Sequence, residues 1–182
     1  MNRRHAVLAL ALSTLLGAVP ARAADDNTVF LDTKDGRITI ELRPDLAPKH
    51  VQQIKTLVGQ GFYDGLKFHR VMDGFMAQTG DPNGNGTGGS SLPNIPAEFS
   101  SAPFTRGTVG MARSQEPNSA NSQFFICLGD ASFLNGKYTV VGTVTNGMEV
   151  VDKIKKAERG AQNGAVQNPD KIVRMQLAGK AR

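Results

Sequence analysis

The 182-residue chain is long enough for one domain with a small appendage, and its 40% apolar content can build a core, which excludes a disordered polymer. Of its 21 basic and 16 acidic residues, three arginines (Arg3, Arg4, Arg22) and no acid fall in the first 23 positions, which leaves 18 against 16, or +2, for the rest. So small a charge gives no reason to invoke nucleic acid or an anionic membrane as a partner, and the single cysteine, Cys127, excludes an internal disulfide.

The chain opens with "MNRRHAVLALALSTLLGAVPARA": a basic start, an apolar run and a small-x-small end at Ala21-Arg22-Ala23. This predicts a secretory signal over 1–23, cleaved before Ala24, because the apolar run is shorter than the roughly 20 residues a membrane span needs. Residues 24–182 then form a single domain. Within it "TVFLDT" and "RITIELR" alternate apolar and polar residues around Asp35-Gly36, which predicts a hairpin. Pro48 opens "PKHVQQIKTLVGQG", whose Val51, Ile54, Leu57 and Val58 share one helical face, with His50 placed on the polar side. "LKFHRVM" and "FMAQTG" follow as strands around Asp73-Gly74, then a loop from Asp81 rich in glycine and proline. Three more strands are predicted in "GTVGMAR", "SQFFICLG" and "YTVVGTVT", a second helix in "GMEVVDKIKKAERG" and a last strand in "KIVRMQLA". About eight strands and two helices predict a mainly β fold: a closed or nearly closed antiparallel barrel capped by helices.

Little in this chain supports nucleophilic or metal chemistry. Beyond the leader the imidazoles are His50 and His69, no "GxSxG" elbow occurs, and no carboxylates cluster at ligand spacing. His69 is expected to be a hydrogen-bonded structural residue facing away from Arg70. Cys127, inside "FFICL", is expected to be a buried and inert thiol. The loop "GNGTGG" lacks the Gly-Lys-Ser/Thr ending of a phosphate loop, so its glycines are read as allowing positive φ and close backbone approach. What remains is Arg70 among Phe75, Met76, Phe124, Phe125, Phe133 and Leu134. Each apolar residue taken singly reads as core. Yet consecutive phenylalanines in a strand face opposite ways, so one of Phe124 and Phe125 must lie on the outer surface, and an aromatic there, beside an arginine, suggests a pocket.

The motifs "FHRVMDGFMAQTGD", "GNGTGGSS", "GTVGMAR", "NSQFFICLG" and "FLNGKYTVVGTVTNGMEVVDKI", in this order and spacing, resemble those of the cyclophilin-type peptidyl-prolyl cis-trans isomerases, and they cover most of 28–177. The leader and the short loops are most similar to the bacterial periplasmic branch. The resemblance implies a closed eight-stranded antiparallel barrel with a helix at each end, and an outer groove that takes proline-containing exported polypeptides in the periplasm without cofactor or metal; the short polar tail and the lack of a heptad or second module predict a monomer. It makes Arg70 the catalytic arginine. Phe75, Met76, Phe125 and Leu134 would line the proline pocket, Gln78 and Gln123 would contact the peptide backbone, and Ala112 and Arg113 would border the residue before proline. Three positions depart from the pattern of the best-known members: Arg113 replaces asparagine, Phe133 tryptophan and Tyr138 histidine. Because the tryptophan goes with tight cyclosporin binding, the departure at Phe133 implies weak binding of that drug. A second reading, a proline-segment-binding chaperone with incidental catalysis, uses the same groove.

Overall fold

A computed structural model describes residues 26–181, so the proposed leader lies outside the described residues. Strands β1 (Thr28–Thr33) and β2 (Gly36–Leu42) form the expected hairpin, closed by the pair Thr33 and Gly36 with Gly36 at φ +136°. Helix α1 (Pro48–Gly59) follows, then β3 (Arg70–Met72) and β4 (Met76–Thr79), whose turn places Gly74 at φ +69°, a left-handed value that glycine adopts without steric penalty. Next come β5 (Thr108–Met111), β6 (Phe124–Cys127) and β7 (Val140–Asn146), the short helix α2 (Met148–Val151), and β8 (Arg174–Leu177). Every predicted strand is present, in one antiparallel sheet ordered β3-β4-β6-β5-β7-β2-β1-β8.

Two expectations are corrected. The sheet curls but its ladder does not close, because β3 and β8 are its two ends. The seam between them is spanned by the isolated bridges Lys67 to Lys171 and Arg70 to Ala165, and by single bonds such as Ile172 N–H to the Leu66 carbonyl. The chain on one side of the seam passes through Asn163, Gly164 and Asn168, all at positive φ, which breaks the extended geometry a ladder requires. The second helix is also far shorter than its sequence pattern. The N–H groups of Asp152, Lys153 and Ile154 still bond back to Met148, Val150 and Val151, but Lys155 then donates to the Asp170 carboxylate and Ala157 to the Val71 carbonyl, so the helical ladder stops.

The register decides which face each residue takes. Val71, Ala77, Ile126 and Val109 lie side by side across β3, β4, β6 and β5, and their side chains enter the main core with Leu31, Ile38, Ile40, Ile54, Phe68 and Phe124. Tyr63 is fully buried there, and its hydroxyl donates to the Ser122 carbonyl (3.0 Å). Offset by one residue, the row Arg70, Gln78, Phe125, Gly110 faces the other way. A second apolar cluster sits on that side: Met76, Phe104, Phe125, Cys127, Ala131, Leu134 and Val140. The two consecutive phenylalanines therefore divide as predicted, Phe124 inside and Phe125 outside.

Helix α1 corrects the placement of His50, which is 0% exposed rather than solvated. Ala47 precedes the helix and offers no side-chain cap. Glu98 supplies it from a distant loop, accepting from the N–H groups of Lys49 (3.2 Å) and His50 (3.1 Å) while meeting His50 Nδ1 at 2.6 Å. Burial lowers the His50 pKa, against an opposing pull from Glu98.

Candidate functional site

Above the second apolar cluster lies a cleft of about 720 Å³, lined by His69, Arg70, Phe75, Met76, Gln78, Gly84, Asn85, Gly86, Ala112, Arg113, Phe125, Phe133, Leu134, Tyr138, Gln162, Asn163, Ala165 and Val166. A smaller hollow of about 210 Å³ adjoins it, sharing Gln78, Gly86, Ala112 and Arg113 and adding Gln123, Thr87, Gly88, Ser114, Ser119 and Asn121. All eleven residues singled out from the sequence border one of these two spaces.

The floor is apolar because the outer row of the sheet is. Phe125 stacks on Phe104 (centroids 5.8 Å, 23°) and meets Tyr138 edge-on (6.1 Å), while Phe75 and Phe133 tilt together at 5.2 Å across the rim. Gly110, opposite Phe125 on β5, makes the stack possible: a Cβ there would come within 2.5 Å of Phe104 and 2.6 Å of Phe125. In the 3-10 turn Ser132–Leu134, Leu134 is buried against this floor and Phe133 is 60% exposed.

Arg70 borders the cleft from the end strand β3, half-buried. Its Nε donates to the Asn163 carbonyl (2.8 Å), one Nη to Gln78 Oε1 (3.1 Å), and the other Nη lies 3.4 Å from Met72 Sδ. Burial lowers its pKa and Tyr138 opposes that shift, but a guanidinium with so high an ordinary value stays charged. Since arginine only donates, Gln78 must turn its oxygen toward it. The Gln78 amide then donates to Gln123 Oε1 (2.9 Å), and Gln123 donates to the Gly86 (3.1 Å) and Gly88 (2.8 Å) carbonyls. This relay ties the cation to the glycine loop. The Asn163 carbonyl and the Gln78 oxygen hold two of its donors and fix the plane of the group.

The loop is held from beneath by Asp81, which the sequence reading did not single out. Its buried carboxylate accepts from the N–H groups of Asn83 (2.8 Å), Asn85 (2.9 Å) and Gly86 (2.5 Å). Burial pushes its pKa up, yet the three bonds outweigh that and hold it below the ordinary value. The signal was local: Asp followed by Pro-Asn-Gly is a turn in which the aspartate oxygen captures downstream N–H groups. Asn163 was missed for the opposite reason, since it contributes its main chain from 93 residues away.

His69 also departs from expectation. It precedes β3, so strand alternation does not govern it; its buried ring borders the same cleft as Arg70, and neither nitrogen makes a well-formed hydrogen bond among the described residues. Burial lowers its pKa, partly countered by Asp81. Cys127 is buried as expected, its thiol pushed up to about 12, mainly by burial, so it carries essentially no thiolate at neutral pH. Among the described residues no group of His, Cys, Asp and Glu is arranged to hold a metal ion.

Residues 28–177 match the family model described as "Cyclophilin type peptidyl-prolyl cis-trans isomerase/CLD". A "Probable peptidyl-prolyl cis-trans isomerase" of Brucella suis is 60% identical over 185 residues, covering 94% of each chain. A "Peptidyl-prolyl cis-trans isomerase-like 1" of Aspergillus fumigatus is 37% identical over 153 residues, covering 82% of this chain and 94% of that one. Among solved structures, a cyclophilin from Hirschia baltica superposes with a TM-score of 0.76 at 28% identity, covering 86% of this chain and 76% of that one. A Cryptosporidium parvum cyclophilin type peptidyl-prolyl cis-trans isomerase, crystallised in the presence of the dipeptide Ala-Pro, superposes with a TM-score of 0.75 at 28% identity, covering 82% and 98%.

Proposed function

The chain belongs to the cyclophilin-type peptidyl-prolyl cis-trans isomerases, and from its groove we propose that it accelerates rotation about X-Pro bonds in exported polypeptides, with Arg70 as the catalytic group. The barrier to be lowered is about 18–20 kcal/mol, because the peptide nitrogen shares its lone pair with the carbonyl. Left alone, X-Pro exchange takes tens to hundreds of seconds. In the half-rotated state the prolyl nitrogen pyramidalises and regains that lone pair. A donor aimed at it stabilises this state more than either planar one, and that difference is what accelerates the reaction.

The observation that carries this reading is the setting of Arg70: a charged group whose plane is fixed by Asn163 and Gln78, beside an apolar floor of Phe125, Met76 and Leu134. The floor receives the proline ring, Phe75 and Phe133 cover its rim, and Ala112 and Arg113 border the residue before proline. Gln78 and Gln123 are the polar groups nearest the peptide main chain, while Tyr138 offers a ring edge and a hydroxyl. Low polarity strengthens the arginine's field. Each tenfold of rate asks about 1.4 kcal/mol of it, so no covalent intermediate, metal or cofactor is required. Catalysis rather than mere binding is favoured by the braced arginine, since a pure binder gains nothing from a donor matched to a half-rotated bond.

The basic, apolar, Ala-Arg-Ala leader supports a periplasmic place of work. The test therefore takes protein from the exported fraction, expected to begin at Ala24, and measures cis-trans exchange of X-Pro peptides by NMR. Exchange no faster than in buffer alone would refute the isomerase reading; a protein retained in the cytoplasm with residues 1–23 intact would refute the export. Cyclosporin is expected to inhibit weakly, because Phe133 presents a smaller ring than the family's tryptophan and no indole N–H. An inhibition constant below about 1 μM, roughly −8 kcal/mol of binding, would contradict this.

A further inference from the structure

Arg113 combines features that the isomerase chemistry leaves unused. Its side chain borders both the main cleft and the smaller hollow, so it stands on the ridge between them. Its guanidinium carbon lies over the Tyr138 ring, 4.4 Å from the centroid. One Nη donates to the Ser114 (2.9 Å) and Gln115 (3.1 Å) carbonyls and the other to the Lys137 carbonyl (2.8 Å). Three main-chain acceptors and an aromatic face thus fix the group at little further entropic cost to a ligand. None of these partners carries a negative charge. No carboxylate lies within ion-pair distance of Arg113 among the described residues. Among the described residues one Nη proton and the buried Nε–H are left without an acceptor.

The surroundings strengthen the point. Neither space has an aspartate or glutamate in its lining, and the permanently charged side chains there are Arg70 and Arg113, both cations. The remaining groups of the smaller hollow are neutral: glycine-loop backbone, Ser114, Ser119, Asn121 and the two glutamines. A concave surface lined by one sign of charge, with low-dielectric walls, concentrates its field and attracts the opposite sign.

We propose that Arg113 makes this chain selective for acidic segments, a carboxylate on one of the two residues before the proline docking in the smaller hollow against the guanidinium. The inference rests on the groove binding X-Pro segments as described above, and adds which of them it prefers. Because the docked carboxylate takes no part in the charge that develops at the prolyl nitrogen, the contact serves ground and transition states alike. Uniform binding of that kind lowers KM and leaves kcat unaltered.

The test compares exchange catalysis on terminally blocked Ala-Ala-Pro-Phe, Ala-Glu-Pro-Phe, Glu-Ala-Pro-Phe and their lysine counterparts, using the wild-type protein and Arg113→Asn. The wild type is expected to favour one glutamate peptide over the alanine peptide by about three- to tenfold in kcat/KM, through KM, and to disfavour lysine at the same position. The ratio should fall to near one in Arg113→Asn and shrink in about 0.5 M salt, where such a charge pair is screened. The alanine peptide, run in every sample, reports whether each protein is folded and competent. Catalysis of that peptide with both glutamate ratios near one overturns the acidic preference alone, as does a preference that survives in Arg113→Asn. No catalysis of any peptide by the wild type overturns the isomerase reading, and this inference with it.

Discussion

Arg70→Ala is expected to lose about 10²–10³-fold in kcat/KM on X-Pro peptides, the usual cost of removing one donor aimed at the charge that develops in a transition state. The loss should fall on kcat more than on KM, because the guanidinium gives little to the planar imide. The fold should persist. Arg70 lies on an end strand, half-buried, with its side chain directed to the outer groove rather than to the main core. Arg70→Lys should recover only a small part, since an ammonium on a flexible stem cannot meet Asn163, Gln78 and a prolyl nitrogen in one plane. The check is exchange NMR for the rate, with circular dichroism on the same samples. A folded Arg70→Ala protein turning over like wild type would remove this residue from the mechanism.

Phe125→Ala is expected to act on both stability and capture. The ring is 4% exposed, stacked on Phe104 and bounded by Tyr138, so truncation leaves a cavity that neighbours on a rigid sheet cannot fill. Such changes cost about 3–5 kcal/mol. For a domain of this size that is a fall in Tm of roughly 6–20 °C. At a temperature where the variant is still folded, KM should rise at least about tenfold, because the proline ring loses its floor. Phe125→Leu, which keeps most of the volume, should recover stability better than capture. Calorimetry and saturation kinetics on the pair decide: an unchanged KM in the folded alanine variant would mean that proline sits elsewhere.

How much of this was readable in the letters follows from how far apart the partners lie. All eight strands were legible because alternation is local, and the split of Phe124 from Phe125 follows from the period of two. The residues that line the cleft were legible through the five ordered motifs, and register then explains their meeting: Arg70 lies opposite Gln78, Gln78 opposite Phe125, and Phe125 opposite Gly110. What escaped depends on distant partners. His50 looked solvated on a helical wheel, but Glu98 reaches it from 48 residues away and caps α1 at the same stroke. The second helix carries a long helical pattern, yet Asp170 and Val71 take the N–H groups that would have extended it. The open seam was hidden because counting strands does not say whether the two end strands pair, and here the non-extended chain through Asn163, Gly164 and Asn168 lies along β3 instead of a ladder partner.

That seam has a consequence for how the groove can fail. Arg70 is moored on both banks, through Gln78 to the ordered ladder and through Asn163 to the irregular chain opposite, where only scattered bonds join the two. Local breathing should start at the Asn163–Ala165 end of the seam, where the chain runs at positive φ and meets β3 through single bonds, rather than beside Phe68 and Ile172, which are buried in the main core. Any loosening of that stitch would swing the cation's aim before the rest of the molecule registered a change, so heat or denaturant should silence turnover ahead of global melting.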